Sequence, residues 1–178
     1  QLAQKSINTE KHIIICGYGR CGQNLAKLLR TQDIPYLALD LDPDRVNRAL
    51  AHGDQVAYGD AARLQSLMAV GLERASAVVI TYLDNASAFK VLALAKEHAP
   101  HVPVVVRTQD DHDLAQFQAA GASEVVPETI EGSLMLATHA LALVGVPMKR
   151  VIRMVQAQRL QRYELLREFD PGEKGEEK

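Results

Sequence analysis

Short apolar runs alternate with longer amphipathic stretches along most of the chain. The first run, Ile13 to Cys16, leads into closely spaced glycines and then into a helical pattern of leucines that ends near Thr31. Repeated alternation of this kind predicts parallel strands that are connected by crossover helices. The predicted fold class is therefore α/β, a Rossmann-like doubly wound parallel sheet of about six strands.

The other predicted strands are also short apolar runs that end at a polar residue or a turn. They are Tyr36 to Leu39 (ending at Asp40), Gln55 to Tyr58, Ala77 to Thr81, Val104 to Arg107 and Glu124 to Val126. The predicted helices are Gly22 to Thr31, a helix capped by Asp42 that runs to His52, a helix with Leu64, Leu67 and Met68, Asn85 to His98, and Leu114 to Ala120. The run Ala77 to Thr81 is apolar enough for a central strand buried on both faces.

The hydrophobic pattern changes after Pro127. The segment from Gly132 to Val146 is apolar almost all the way round a helix, so one sheet face cannot cover it and it needs a partner. A second helix, about Met148 to Phe169, carries basic residues that form either a solvated face or a docking surface for an acidic partner. We therefore divide the chain into a linker (1–11), a Rossmann-like domain (12–127), crossover or dimerisation helices (128–169) and a tail (170–178) expected to be disordered.

Length and charge exclude several functional classes. The 178 residues suffice for one domain with an appendage, but not for a cofactor domain joined to a separate substrate domain. The formal net charge of -2 offers no global attraction for nucleic acid. No apolar run approaches the roughly 18 residues of a membrane span, and no signal peptide is visible. The two cysteines, Cys16 and Cys21, are expected to be reduced, with Cys21 either a reactive thiol or a small packing residue.

The most informative local motif is G-x-G-x-x-G at Gly17, Gly19 and Gly22, between the first strand and the first helix. In this context the first glycine permits the turn, the second lets a pyrophosphate approach the backbone, and the third lets the helix pack close to the strand. The positive end of the helix dipole then favours phosphate groups. The motif predicts a nucleotide site, and a purely structural glycine turn is the alternative.

The other candidate ligands follow the strand ends, because the crevice of such a sheet lies there. Asp40 is placed to bond ribose hydroxyls and to repel a 2'-phosphate, which favours NAD, NADH, AMP, ADP or ATP over NADP; a strand-end turn residue is the alternative. Asp60 is either a helix cap or a ligand contact, and Arg107 needs an anionic ligand or a carboxylate as partner. The candidate set is Gly17, Tyr18, Gly19, Arg20, Gly22, Asp40, Leu41, Asp60, Ala61, Thr81 and Arg107.

A catalytic constellation is not evident in the sequence. The one dense titratable cluster, Asp110 to Asp113, opens a helix, where acidic side chains are favoured anyway. The histidines and cysteines have no spacing typical of a metal site. We therefore expect a non-enzyme, with an NAD-dependent oxidoreductase fragment and a ligand-free dimerisation scaffold as alternatives.

Several motifs in order resemble one family. They are GYGRCGQ (17–23), LDLDPDRV (39–46), YGDA (58–61), VVVRTQD (104–110) and PETIEGSL (127–134). This succession resembles the RCK domains, also called KTN or TrkA-N domains, which are cytoplasmic gating domains of potassium channels and transporters. It is most similar to the C-terminal domains of Kef-type potassium efflux proteins, the monovalent cation:proton antiporters of bacterial inner membranes.

The resemblance implies a regulatory domain on the cytoplasmic face of the inner membrane that gates a cation transporter through conformational change. It implies a homodimer through helices 129–169 and a membrane-embedded transport domain N-terminal to residue 1. It also implies a bound adenine nucleotide, AMP or NAD(H), with ATP or ADP as further candidates, held at Gly17, Gly19, Gly22, Asp40, Asp60 and Arg107.

One departure from the family concerns glutathione. Glutathione-gated members carry a basic residue early in the helix after the fifth strand and a Phe-Asn pair in the last helical region. The matching stretches here, HDLAQFQAAG (112–121) and VQAQRLQRYELL (155–166), contain neither feature, although Arg20 matches the family's loop arginine. The resemblance therefore supports nucleotide binding more strongly than glutathione control.

Overall fold

A parallel sheet contains the apolar runs of the sequence. The structure, a computed structural model, describes residues 9–168, with side chains up to residue 161. The strands are β1 (Ile13–Cys16), β2 (Tyr36–Asp40), β3 (Val56–Tyr58), β4 (Ala77–Ile80), β5 (Val104–Thr108) and β6 (Glu124–Pro127). Their order in the six-stranded sheet is β3-β2-β1-β4-β5-β6, and the registers between β3 and β5 are all parallel. The predicted doubly wound sheet is confirmed, in the strand order of dinucleotide-binding folds.

Helices connect these strands, and two more helices follow β6 in the chain. They are α1 (Arg20–Thr31), α2 (Pro43–Ala51), α3 (Leu64–Ala69), α4 (Asn85–His98), α5 (Leu114–Ala119), α6 (Glu128–Leu143) and α7 (Met148–Glu168), with a short 3-10 turn at Leu72–Arg74. The predicted start of α2 is confirmed, since the Asp42 carboxylate accepts bonds from the amides of Asp44 and Arg45. Most of the predicted linker, Phe169 and the predicted tail lie outside the described residues.

Two expectations from the sequence were wrong in detail. The N-cap of α3 is Arg63, not Asp60; the Asp60 carboxylate instead accepts the Ala62 amide within the preceding turn, at 3.0 Å. Strand β4 is not buried on both faces along its whole length, because Val78 and Ile80 are buried whereas Val79 is half-buried. The cap predicted at Asp60 is therefore present, but it belongs to the turn before α3 and not to α3 itself.

Strand β1 lies at the centre of the sheet, between β2 and β4. Ile14 and Ile15 are completely buried, and Ile15 belongs to a cluster with Ala26 of α1 and Val46 of α2. The strand order reverses between β1 and β4, so the connections that leave these two strands diverge. This divergence opens a crevice at the carboxyl ends of β1 and β4, where the glycine loop, residues 17–19, begins.

The described chain divides into two units. The first runs to Thr108 and includes Phe117–Val126, and the second comprises Gln109–Gln116 and the chain from Pro127 onward. In the second unit, α6 and α7 form a helical hairpin whose turn contains Gly145 at φ 87°, and an ion pair joins Arg159 of α7 to Glu131 of α6.

Helix α6 has no buried residue, and apolar side chains on both helices are exposed: Met135, Leu136, Leu143, Ile152 and Leu160. Among residues 9–168, no helix combines the length and the apolar character needed to cross a bilayer.

The close packing of α1 on the glycine loop gives a stability prediction. A Cβ at Gly22 would lie 2.1 Å from the Gly17 carbonyl oxygen, whereas a Cβ at Gly19 would meet nothing within 4 Å. We expect Gly22→Ala to lower the free energy of unfolding by about 1–3 kcal/mol through overpacking against backbone. Gly19→Ala serves as the control and should leave this free energy nearly unchanged. Urea unfolding of both variants measures the difference, and equal stability would contradict the packing argument.

Candidate functional site

A cavity of about 360 Å³ opens at the carboxyl ends of β1, β2 and β4. Its volume lies near the lower end of the range of about 300–1,000 Å³ for small-molecule sites. Most of the residues predicted from the sequence line it: Gly17, Gly19, Arg20, Asp40, Leu41, Asp60, Ala61, Thr81 and Arg107. The chain thus brings together residues that are up to ninety positions apart in sequence, from the glycine loop to β5.

Tyr18 and Gly22 belong to the predicted set but do not line the cavity. The Tyr18 side chain is 1% exposed, and its hydroxyl donates to Asp54 Oδ2 at 2.9 Å. Burial, reinforced by its contact with Tyr36, raises the pKa of the Tyr18 hydroxyl, so this group is a neutral donor. Gly22 is buried beneath the Gly17 carbonyl. Both residues support the conformation of the glycine loop without lining the cavity.

Thr81 fixes the glycine loop from the end of β4. Its hydroxyl lies 2.7 Å from the Gly17 carbonyl oxygen and 3.0 Å from that of Cys16. Gly17 has φ 97°, and a Cβ there would lie 2.8 Å from the Thr81 hydroxyl, so both conformation and space require glycine. The loop leads into α1 through Gly19, which has no side chain to occupy the amides of the first turn. Those amides and the helix dipole favour an anion at this end of the cavity.

Asp40 is 7% exposed and connects three segments. Its Oδ2 accepts the Tyr18 amide at 2.7 Å, and its Oδ1 accepts the Asp42 amide at 2.8 Å. Arg45 Nη1 lies 3.3 Å from Oδ1 and 3.2 Å from Oδ2. These contacts use all of the roughly four acceptor positions of a carboxylate. The strand-end role considered for Asp40 is thus present, and a ribose contact requires one donor to withdraw.

Arg45 is the principal lining residue that the sequence analysis missed. It is half-buried in the first turn of α2, where it lines the cavity and forms the ion pair with Asp40. The Asp42-Pro43 start of α2 is a signal that could have placed Arg45 one turn from the strand end. The other lining residues missed were Cys21, Leu39, Gly59, Tyr82 and Ser87.

The guanidinium of Arg107 is anchored at the part of the cavity wall that β5 contributes. Its Nη1 donates to the Thr81 carbonyl oxygen at 2.6 Å. This backbone acceptor is neither of the two partners predicted from the sequence, an anionic ligand or a carboxylate, and that prediction stays open. Asp60, on the other side, lies 3.8 Å from Arg63 Nε in addition to its turn hydrogen bond. Arg20 and Arg107 thus lie near the glycine loop and β5, whereas the carboxylates at the ends of β2 and β3 each have an arginine beside them.

The Cys16 thiol and the Tyr82 phenol near the loop have little acid-base potential at neutral pH. Burial raises the pKa of the Cys16 thiol to about 12, so it stays protonated. Burial also raises the pKa of Tyr82, whose hydroxyl lies 2.9 Å from Ser87 Oγ. Both cysteines are free, as predicted. Among the described side chains, those of residues 9–161, no group of three or more His, Cys, Asp or Glu could hold a metal ion.

The family of the chain follows from a match over residues 13–128 to the TrkA-N domain. This span is more than half of the 178 residues, and it contains the glycine loop and every residue that lines the cavity. The chain belongs to the TrkA-N domain family.

Relatives identify the branch of this family more closely. The Kef C-terminal domain of Shewanella denitrificans, solved in its AMP-bound form, is 30% identical; the match covers 88% of this chain and 96% of that one, with a TM-score of 0.74. A protein named as a K(+) efflux antiporter KefB in Alkalimonas amylolytica is 43% identical over 159 residues, 89% of this chain and 24% of the relative. The glutathione-regulated potassium-efflux protein KefC of Escherichia coli is 31% identical over 136 residues, 76% of this chain and 22% of the relative.

These matches confirm the resemblance that was inferred from the motifs. The chain is similar to Kef C-terminal domains along nearly all of its length. It spans about a quarter of the length of these two curated relatives.

The contacts of Asp40 predict a stability effect that is independent of any ligand. Asp40→Ala should lower the free energy of unfolding by about 1–3 kcal/mol for the buried Tyr18 amide alone, because that donor loses its acceptor. Arg45→Gln removes the ion pair but leaves both amide contacts intact. Since the Arg45 side chain is 39% exposed, this control should cost less than about 1 kcal/mol. Urea unfolding without nucleotide tests the pair, and equal losses would contradict the structural role of Asp40.

Proposed function

We propose that this chain is a nucleotide-binding regulatory domain of a potassium efflux transporter. The observation that carries the proposal is the cavity itself, which combines an N-terminal helix turn behind the glycine loop with anchored cations and strand-end carboxylates. In the AMP-bound Kef relative, a chain of the same family holds an adenine nucleotide.

The charge distribution suggests how the nucleotide is oriented. Phosphate groups would lie against the first turn of α1, near Arg20 and Arg107, because these groups are cationic or donate hydrogen bonds. The ribose would then point towards Asp40, and the base towards Leu41 and Ala61. The volume of about 360 Å³ favours a mononucleotide such as AMP, and a dinucleotide such as NAD(H) would extend into the opening of the cavity.

The proposed role is regulatory rather than catalytic. Tyr82 is neutral and bonded to Ser87, and no histidine is among the residues that line the cavity. The oxidoreductase alternative requires a side chain beside the nicotinamide that can act as an acid or a base. We identify no residue for that role among those that line the cavity.

The proposed partner is a membrane-embedded cation transport domain in the same full-length protein, with this domain on the cytoplasmic side. The support comes from the relatives, which are named as a K(+) efflux antiporter and a potassium-efflux system protein and are about four times as long as the matched region. A nucleotide can bias the transporter only by its difference in affinity for two conformations of this domain.

Nucleotide binding is testable by calorimetry with AMP, ADP and NADH. We expect AMP to bind the wild type, and Gly19→Ala to weaken binding by at least about tenfold, which corresponds to 1.4 kcal/mol. The added methyl group has room in the fold but occupies space at the cavity wall where a phosphate would approach.

The matched control is Gly132→Ala on α6, outside the cavity, where a Cβ also meets nothing within 4 Å. It should bind AMP as the wild type does. Failure of all three nucleotides to bind the wild type would overturn the proposal.

We also propose that α6 and α7 mediate a homodimer. The support is the exposed apolar surface of these helices, where Leu136 is 75% and Leu143 is 88% exposed. Exposed apolar residues at such density are typical of protein–protein interfaces.

Sedimentation analysis at micromolar concentration tests the dimer. We expect a dimer for the wild type and a monomer for Leu136→Glu, because a carboxylate would be desolvated in the interface. The control Leu28→Glu changes a residue of α1 that is 66% exposed, and it should leave the dimer intact. A monomeric wild type, or equal dissociation of both variants, would refute this interface.

A further inference from the structure

Another cavity, of about 500 Å³, lies between α1 and α2, and half of its lining residues are arginine or histidine. Arg45, Arg48 and His52 recur at the spacing that places them on one side of α2, and Arg30 lies on the facing wall from α1. Asp54 is the one carboxylate among the lining residues. We call this cavity the α1–α2 groove.

The groove has more positive than negative charge. Arg30 pairs with Asp54 at 3.0 Å and donates to the Tyr36 hydroxyl at 2.8 Å, so the single groove carboxylate is already engaged. Arg45 pairs with Asp40, which lines the other cavity. In the described part of the chain, the guanidinium of Arg48 forms no ion pair, and it is exposed to solvent. The planar guanidinium group of an arginine matches the geometry of carboxylate and phosphate groups, so the exposed Arg48 is suited to bind either.

Two residues connect the groove to the nucleotide cavity. Arg45 lines both cavities, and Tyr18 lines the groove with its side chain while its amide bonds to Asp40. Because Asp40 has no vacant acceptor position, a ribose can bond to it only if a donor withdraws. Arg45 is the donor that can move, since the other two are backbone amides held by the loop and the α2 cap.

We propose that the α1–α2 groove binds a small polyanion that carries carboxylate or phosphate groups, and that this anion strengthens nucleotide binding through Arg45. The anion attracts the guanidinium of Arg45 towards Arg48, which lowers the cost of releasing Asp40 to the ribose. The groove as a binding site stands independently of the proposed function, whereas the coupling rests on it. By linkage, the nucleotide raises the affinity for the anion by the same factor.

The groove is tested with the chain saturated with AMP, so that the nucleotide cavity is occupied. Citrate and, separately, inorganic pyrophosphate are titrated by calorimetry at constant ionic strength. We expect binding of at least one probe, and a loss of about tenfold or more in Arg48→Gln, as for a hydrogen bond to a charged group. Arg48 is chosen because it lines the groove and not the nucleotide cavity.

The control is Lys90→Gln, an exposed position on α4 that lines neither cavity and removes the same charge. It should bind both probes as the wild type does. Absence of binding by both probes, or equal losses in the two variants, would overturn the site and leave a solvated basic surface.

The coupling is tested by the affinity for AMP with and without the bound probe. We expect an increase of about fivefold, the lower end of typical coupling between sites, in the wild type and none in Arg48→Gln. Anion binding without a change in AMP affinity would refute the coupling alone. If AMP does not bind at all, the proposed function fails, and the comparison of Arg48→Gln with Lys90→Gln in the nucleotide-free chain still decides whether the groove is a site.

Discussion

The cavity depends on the hydrogen bonds that the Asp40 carboxylate accepts. It joins the glycine loop through the Tyr18 amide, the start of α2 through the Asp42 amide, and the side of α2 through Arg45. At 7% exposure, it is nearly withdrawn from water, so the cost of burying its charge must be met by these donors. The position of the loop, the direction of the first helix after β2 and the shape of the cavity therefore have one common physical cause.

The overall architecture could be predicted because its signals are local. Apolar runs of strand length, the glycine spacing and the Asp42-Pro43 cap each specify a backbone conformation within a few residues, and each appears where expected. The cavity could also be anticipated, because parallel strands bring their carboxyl ends to one edge. Asp40, Asp60, Thr81 and Arg107 meet at this edge for that reason.

The partners of these side chains could not be predicted in the same way. Whether Asp60 caps α3 or a preceding turn depends on the exact residue at which the helix begins, and the sequence signal is the same for both. The burial of Tyr18 among Tyr36 and Asp54 depends on contacts with residues 18 and 36 positions away. Arg45 was missed because an arginine in the first turn of a helix ordinarily indicates only a solvated face. Long-range packing decided the Tyr18 case, whereas the Asp60 and Arg45 cases depended on the local geometry of contacts within five residues.

The saturated state of Asp40 bears on what kind of binding the site can support. A ligand that must displace Arg45 from this carboxylate spends part of its interaction energy on that displacement, so its net affinity is lower than its contacts alone would give. For a site that performs chemistry, this cost has no evident use. For a site that reports the level of a nucleotide, it is useful, because bound and unbound populations can both be significant and a modest change in energy shifts the balance. Under the proposed mechanism, the Asp40–Arg45 contact that helps to hold the glycine loop is also the contact that a bound nucleotide rearranges, and Arg45 is the residue through which that rearrangement reaches the outer face of α2.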